Sequence, residues 1–446
     1  MQVLTLEIPE LGNHTHLVHD GRYALVVDPP RDIAPVEAAA EAAGVEISTV
    51  ADTHLHNDYL SGALALARRH GADYLLAADE SVTFERVGVR GGDVLTVGSL
   101  DVSVLATPGH TRHHQAFSVR DRRGSEPAAV FSGGSLLHGT VGRTDLVDPR
   151  LQHDLARAQW ASARLIGGLD PATRLRPTHG FGSLCAGSRT SAETDGTIGG
   201  ELAVNPALLL DRDRFVDELV AGFGAIPSYY GRMAPLNRTG AGRARPRPGR
   251  AVTRDEVADA ILARRWVVDL RPRASFARGH VPGSVSVEYS AQFATYVGWL
   301  VPGADDLVLL YDTADDVGAA LHDLAGIGID GPGIHGIRAD ESLPATLRRT
   351  DWAGFREHVG PRVVVDVRER DEYDAGHLPE AVHLPVHEIE RGVVGLPAGE
   401  LWAHCRSGYR AGIAASLLHR AGRSVVHVDD SWDLVAGLAV PTTAAA

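Results

Sequence analysis

The sequence predicts an α/β protein built from several domains, and three observations carry that reading. The chain has 446 residues, more than one hydrophobic core accommodates. Its first half alternates short apolar runs (YALVVDPP, DYLLAAD, VSVLATPGH, AAVFSGGSLL) with helical stretches such as VEAAAEAAGV, the pattern of a layered α/β domain. Its second half repeats itself. VVDLRPRASFARGHVPGSVSV returns as VVDVRERDEYDAGHLPEAVHL, so Asp269 matches Asp366 and His280 matches His377, both 97 positions apart (366 − 269; 377 − 280). A repeat of that length is a duplicated domain rather than a solenoid of short units.

In chain order, residues 1–236 form the first domain. The stretch NRTGAGRARPRPGR, residues 237–250, is rich in Gly, Pro and Arg without apolar periodicity and is expected to be a linker. Residues 251–345 and 350–446 are the two copies. Each reads as strand, turn, strand, helix, which implies a parallel-sheet α/β unit.

Composition narrows the chemistry. The formal net charge of −14 argues against nucleic acid as the main partner. No apolar run reaches a membrane-spanning length, and the first residues lack the basic and apolar regions of a signal peptide, so neither a membrane nor export is expected. With only Cys185 and Cys405, a disulfide framework is not expected, and a reducing cytoplasm fits. The chain contains no lysine, which excludes Schiff-base catalysis and a P-loop.

THLHNDYLSG, residues 53–62, places His54, His56 and Asp58 at alternate positions after the apolar stretch ISTVAD. Alternate residues at a strand end point the same way, and two imidazoles with a carboxylate suit zinc or iron. His110 stands in TPGHT and His179 in PTHGFGS. His113 and His114 are expected to have no catalytic role, and Cys185 to be a small core hydrophobe.

LWAHCRSGYRAGIAASLLHRAG reads as a strand, a tight loop and an amphipathic helix. Cys405 opens the loop, where successive backbone amides and the positive end of the helix favour an anion on sulfur. Arg406 and Arg410 add positive charge, and Ser407, Gly408 and Tyr409 complete the curl of the cradle. The same kind of loop would also bind phosphate in a phosphatase. The corresponding stretch of the middle copy, LLYDTADDVGAAL, has no cysteine and carries Asp312, Asp315 and Asp316, so that copy is expected to be inactive.

Taken together, the H-x-H-x-D motif, TPGHT, SGGSLLHGTVGRTD and PTHGFGS resemble the metallo-β-lactamase fold over most of residues 1–236. VVDPPRD, GRTD and THGFGSLC look most like its persulfide dioxygenase branch, with glyoxalase II the nearest hydrolase relative. The resemblance implies an αββα domain with a metal on His54, His56 and His110. Asp58, Tyr59 and His179 match a second site or its surroundings. Two departures stand out. Tyr59 replaces a histidine of the second site. Gly134 replaces an aspartate that bridges two metals in the hydrolases and completes the iron triad in the dioxygenases. At most one ion per chain is therefore expected, ferrous iron with zinc as the alternative, and Gly134→Asp is expected to tighten iron binding.

The duplicated half, VVDVRERDEYDAGHLPEAVHLP followed by CRSGYRA, resembles rhodanese, with Cys405 as the persulfide carrier. VDDSW stands where that family has a glycine pair before the tryptophan. The order of domains resembles the bacterial persulfide dioxygenase–rhodanese fusions. It implies a sulfur-handling enzyme whose partners are a small-molecule thiol persulfide or thiosulfate, and it leaves a homo-oligomer open. Two other readings stand beside it: a zinc hydrolase of the glyoxalase II type fused to rhodanese, and a non-catalytic first domain with only the sulfurtransferase active.

Overall fold

The structure is a computed structural model that describes residues 1–187, 195–241, 247–301, 307–338, 341–438 and 442–444. The chain divides into two units, Met1–Pro246 with Ala325–Gly328, and Arg247–Leu324 with Ile329–Ala446.

In the first unit, strands β1 (Gln2–Ile8), β2 (Asn13–His19), β3 (Tyr23–Val27), β4 (Glu46–Ala51), β5 (Asp73–Ala77) and β6 (Val87–Val89) lie side by side in chain order. The first three are antiparallel and the rest continue in parallel. Parallel neighbours need a crossover, supplied here by helices α1 (Ala34–Ala43) and α2 (Ala63–His70). A second sheet consists of β7 (Val94–Val97), β8 (Leu100–Ala106), β9 (Gln115–Asp121), β10 (Ala129–Gly133) and β11 (Arg174–Pro177), the last parallel to β10.

The inward faces of the two sheets form a core in which Leu25, Val27 and Leu75 meet Val102, Phe117 and Phe131. Burying each such side chain contributes about 1.5–3 kcal/mol. The outer face of the first sheet packs under α1 and α2 through Val36, Ala40 and Leu66. The outer face of the second packs under α3 (Gln152–Gly167), α4 (Ile198–Val204), α5 (Pro206–Leu209) and α6 (Arg212–Ala221). The layers run helix, sheet, sheet, helix, as the sequence predicts. Helix α7 (Tyr230–Thr239) follows, so the helix extends three residues into the segment assigned to the linker. Asn237 explains the extension: its side chain donates to the carbonyls of His56 and Tyr59, both at 2.9 Å, and accepts from Ser61 N. Residues 242–246 of that segment lie outside the described residues.

The second unit contains two parallel five-stranded sheets. The first takes β12 (Arg250–Ala251), β13 (Trp266–Asp269), β14 (Val285–Ser286), β15 (Leu307–Tyr311) and β16 (Gly333–Gly336) in the spatial order β12-β16-β15-β13-β14. Its helices are α8 (Arg254–Leu262), α9 (Arg273–Arg278), α10 (Phe293–Leu300) and α11 (Ala314–Gly326). The second sheet takes β17 (Arg348–Thr350), β18 (Val363–Asp366), β20 (Val382–His383), β21 (Leu401–His404) and β22 (Val425–Val428) in the order β17-β22-β21-β18-β20, which is the same permutation. The short pair β19 (Gly376–His377) and β23 (Thr443–Ala444) stands apart. Helices α12 (Trp352–Glu357), α13 (Arg370–Asp374), α14 (Ile389–Gly392) and α15 (Tyr409–Arg420) complete this copy.

The repeated residues make repeated contacts. Arg271 clasps Asp269 at 2.7 Å and reaches Gly279 O at 2.9 Å; Arg368 clasps Asp366 at 2.6 Å and reaches Gly376 O at 2.7 Å. His280 stacks on Phe276 with ring centroids 3.9 Å apart, and His377 stacks on Tyr373 at 3.8 Å. In both copies Nδ1 of the histidine bonds the carbonyl of its stacking partner at 3.0 Å. The Gly-His pair is thus a folding device in both copies, used to turn the chain after α9 and α13.

Candidate functional site

Four loops meet at the carboxyl ends of strands in the first unit. His54, His56 and Asp58 follow β4, His110 follows β8, Gly134 follows β10 and His179 follows β11. All of these side chains are buried. Asp28, just after β3, is the hub beneath them. It holds φ +53, a conformation that costs a side chain energy, and it is fixed there by Thr53 N at 2.7 Å, Thr53 Oγ1 at 2.8 Å, Thr178 Oγ1 and His56 Nε2 at 3.2 Å.

The hydroxyl of Thr53 donates to Asp28, so it accepts from Nδ1 of His54 at 2.9 Å, which leaves Nε2 of His54 bare. His110 Nδ1 donates to Arg143 O at 2.7 Å, and His179 Nδ1 donates to Asn13 Oδ1 at 3.0 Å. Their Nε2 atoms are bare as well, and no hydrogen-bond partner meets any of the three among the described residues. His54, His110 and His179 offer ligand atoms within 4.8 Å of one another. Three oriented, unprotonated imidazole nitrogens are the donor set of a divalent transition metal, each held through its other nitrogen. Burial lowers the basicity of all three, and neighbouring histidines lower it further, with His110 and His179 both near 3. The rings are therefore free bases at neutral pH, as metal binding requires.

The ligand set read from sequence is His54, His56 and His110, and the structure groups these residues differently. His56 turns Nε2 to Asp28 and to the Tyr59 hydroxyl at 3.0 Å, with Asp52 at 3.9 Å, and leaves Nδ1 bare. Burial pulls the pKa of His56 down, but the Asp28 and Asp52 carboxylates outweigh it and raise it. His56 still belongs to a second cluster, with Asp58 and His179. Asp58 Oδ2 accepts from Asn13 Nδ2 at 2.6 Å, and Asp58 Oδ1 is bare. The two clusters share His179, whose single bare nitrogen serves one ion at a time.

Tyr59 does not present a phenolate to either cluster. Its hydroxyl donates to Asp28 O at 3.2 Å, and burial, reinforced by Asp28, holds its pKa well above the usual phenol value. Gly134 has ordinary backbone angles, yet a Cβ there would lie 2.4 Å from His110 Cδ2 and 2.6 Å from His110 Cγ. Its amide donates to His114 Nε2 at 2.9 Å, and Gln159 Nε2 holds its carbonyl. The place an aspartate would take is filled by the edge of His110, so Gly134→Asp would displace that ring rather than tighten iron binding as the sequence suggests. His114 is a buried structural residue, bound through Nδ1 to Thr107 and Ser135. His113 is not among the residues that line the site. Cys185 is fully buried with its thiol 3.8 Å from Tyr230 OH; burial, then the Asp58 carboxylate, raise its pKa well above normal. Asn13, Asp28, Thr53, Arg143 and Gln159 were not singled out from sequence. Three of them lie in stretches the sequence analysis quotes, Asp28 in VVDPPRD, Thr53 in THLHNDYLSG and Arg143 in GRTD; Asn13 and Gln159 lie in none.

In the second unit β21 ends at His404, and the four residues Cys405–Gly408 lead into α15. Cys405 is buried at the base of the loop. Gly408 holds φ +83, and a Cβ there would lie 2.1 Å from Asp429 Oδ1. That carboxylate cannot retreat, because Arg273 at 2.7 Å and Arg349 at 2.5 Å hold it. Gly408 O accepts from His427 Nε2 at 2.8 Å. Among the described residues, the amides of residues 406–411 meet no protein acceptor. Unsatisfied amides facing one point bind an anion.

The arginines contribute differently from the sequence expectation. Arg410 is bound in a fork to Glu372, and Arg406 is half exposed, 4.0 Å from Asp433. Part of the charge of Arg410 is thus neutralised, and the backbone amides carry more of the cradle. Tyr409 points away, donating to Glu288 O at 2.8 Å and packing on Tyr296. In the middle copy only Asp312 and Thr313 separate β15 from α11, and Thr313 caps the helix by accepting from Asp316 N. That copy has no room for an amide cradle.

The second unit matches the rhodanese-like domain family over residues 253–326 and 352–437. The first unit is similar to the hydroxyacylglutathione hydrolase of Cereibacter sphaeroides, 30% identical over 187 residues, which are 41% of this chain and 68% of the relative. It is also similar to the hydroxyacylglutathione hydrolase of Albidiferax ferrireducens, 34% identical over 131 residues, which are 29% of this chain and 50% of the relative. The chain spans about half the length of the first such relatives it matches, 50% and 46%. Among solved structures, a metallo-β-lactamase from Staphylococcus aureus aligns over 75% of this chain and 99% of its own, with 26% identity and a TM-score of 0.67.

Proposed function

This chain belongs, through its first unit, to the metallo-β-lactamase-fold family that contains the hydroxyacylglutathione hydrolases, and it carries rhodanese-like domains behind that unit; from that premise we propose that it is a sulfur-handling enzyme. Cys405 takes up a sulfane sulfur and passes it on. The observation that carries this reading is the amide-lined loop around Cys405. Such a loop stabilises the terminal anion of a cysteine persulfide. With thiosulfate as donor, the Cys405 thiolate attacks the outer sulfur, a sulfur–sulfur bond forms at Cys405, and sulfite leaves with the electron pair of the broken bond. A thiol or cyanide acceptor then takes the outer sulfur and regenerates the thiolate.

In the first unit, His54, His110 and His179 would hold one divalent metal, with His56 and Asp58 beside it. Iron is the preferred ion and zinc the alternative. A bound ion supplies Lewis-acid activation, or oxygen chemistry if it is iron. The chain's own residues orient the rings: Thr53 and Asp28 hold His54, the Arg143 carbonyl holds His110, and Asn13 holds His179. The preferred substrate is a low-molecular-weight thiol persulfide, converted with dioxygen and water to the thiol and sulfite. The second reading, a thioester hydrolase, is favoured by the hydroxyacylglutathione hydrolase relatives.

One experiment separates them. Protein loaded with iron, and separately with zinc, is given glutathione persulfide under oxygen and, in parallel, an acylglutathione thioester. Persulfide-dependent oxygen uptake with sulfite release in the iron form supports the dioxygenase. Thioester cleavage in the zinc form without oxygen uptake in the iron form supports the hydrolase.

A further inference from the structure

The second unit contains a cleft of about 460 Å³ that none of this chemistry uses. It opens beside the last turn of α15, the helix whose first turn follows the Cys405 loop. A helix of 12 residues is about 18 Å long, so the cleft is distinct from the cysteine site. Its volume falls within the roughly 300–1,000 Å³ of small-molecule sites.

The lining includes three arginines, Arg264, Arg265 and Arg420, and a single acidic residue, Glu390. Among the described residues none of the three arginines forms an ion pair. Arg420 Nη1 is buried without a hydrogen-bond partner, while the guanidinium carbon lies 4.7 Å from the centre of the Trp266 ring. In a chain with more acidic than basic residues, three arginines without an ion pair around one cleft leave an excess of positive charge that an anion would offset. Arg264 also holds φ +55, at the position after α8 where glycine is favoured. Its amide and that of Arg265 close the helix end on Ile261 O and Ala260 O, which sets the backbone of both residues at the edge of the cleft. Apolar surface from Ile261, Val393 and Leu417 lines the remainder.

We propose that this cleft binds a small organic molecule carrying a phosphate or pyrophosphate group, with the phosphate oxygens on the three guanidiniums and an apolar body on Ile261, Val393 and Leu417. Three planar forks supply more donors than a single carboxylate accepts, whereas a phosphate offers three oxygens.

The test is isothermal titration of the full chain with ADP and with inorganic pyrophosphate. Saturable binding of ADP, tighter than that of pyrophosphate, is expected. The double variant Arg264→Gln/Arg265→Gln should weaken ADP at least tenfold. Glu390→Gln, on an exposed side chain, should tighten it a few-fold by removing the opposing charge. Thiosulfate, which the Cys405 loop would take, should not displace it. Absence of saturable binding of both probes overturns the proposal, as does displacement by thiosulfate. ADP affinity unchanged in both variants also overturns it, and if the double variant fails to fold, Glu390→Gln decides alone. Equal affinities for the two probes overturn the role of the apolar wall.

Discussion

Tyr59 occupies a position where a histidine would serve a second metal, and its hydroxyl is already committed to Asp28 O and His56. Tyr59→Phe should therefore leave the metal content of the chain unchanged and cost about 1 kcal/mol of stability for the lost hydrogen bond. Plasma mass spectrometry of the purified variant measures the first; loss of metal would return the phenol to the ligand set. His179→Ala and His110→Ala should each lower metal occupancy several-fold, and the wild type should hold one ion per chain, because the two clusters share one nitrogen of His179. Two tightly held ions per chain would contradict that geometry. Gly134→Asp should weaken metal binding, because its Cβ would displace the ring of His110. The sequence alone points the other way. It shows which residue is missing from a motif and cannot show that a neighbouring ring has filled the gap.

At the scale of elements, the Cys405 loop has room to curl because four residues lie between strand and helix and because Gly408 allows the last of them to turn. Gly408→Ala adds a Cβ 2.1 Å from a carboxylate that two arginines hold in place. It should abolish most thiosulfate-to-cyanide sulfur transfer, and activity close to wild type would show that the loop tolerates other shapes. The middle copy supplies the complementary case. Asp312→Cys in a Cys405→Ser background should give no sulfur transfer, since only two residues join β15 to α11 and Thr313 already caps the helix. Activity in that variant would mean that the cysteine matters and its cradle does not. The expectation that this copy is inactive rests, in the sequence, on its missing cysteine and its aspartates. The shortening of the loop, which is the stronger obstacle, emerges only from where the strand stops.

Across the whole molecule, buried histidines set a pH limit on stability. Burial lowers His280, His404 and His427 to about 4 each, against about 6.5 in an unfolded chain. Below the unfolded value the unfolded state binds protons that the folded state refuses, so stability falls as the pH drops from about 6.5 towards 4. Scanning calorimetry of the metal-free chain should show the melting temperature of the second unit declining over that window, and a flat profile would contradict the burial of these rings. The layered fold and the duplication were readable because they rest on apolar periodicity and on a repeat that recurs contact by contact, from Asp269–Arg271 to Asp366–Arg368. The candidate metal ligands were readable as residue types. Their grouping was not, because Asp28 and Asn13 decide which nitrogen of His56 and of His179 is left bare, and those partners come from other strands. Sulfur carriage by Cys405 is checked by peptide mass spectrometry of the chain after exposure to thiosulfate. The peptide containing Cys405 should gain the mass of one sulfur atom, lost on addition of cyanide, with Cys185 unmodified. An unmodified Cys405, or sulfur carried on Cys185 instead, would contradict it.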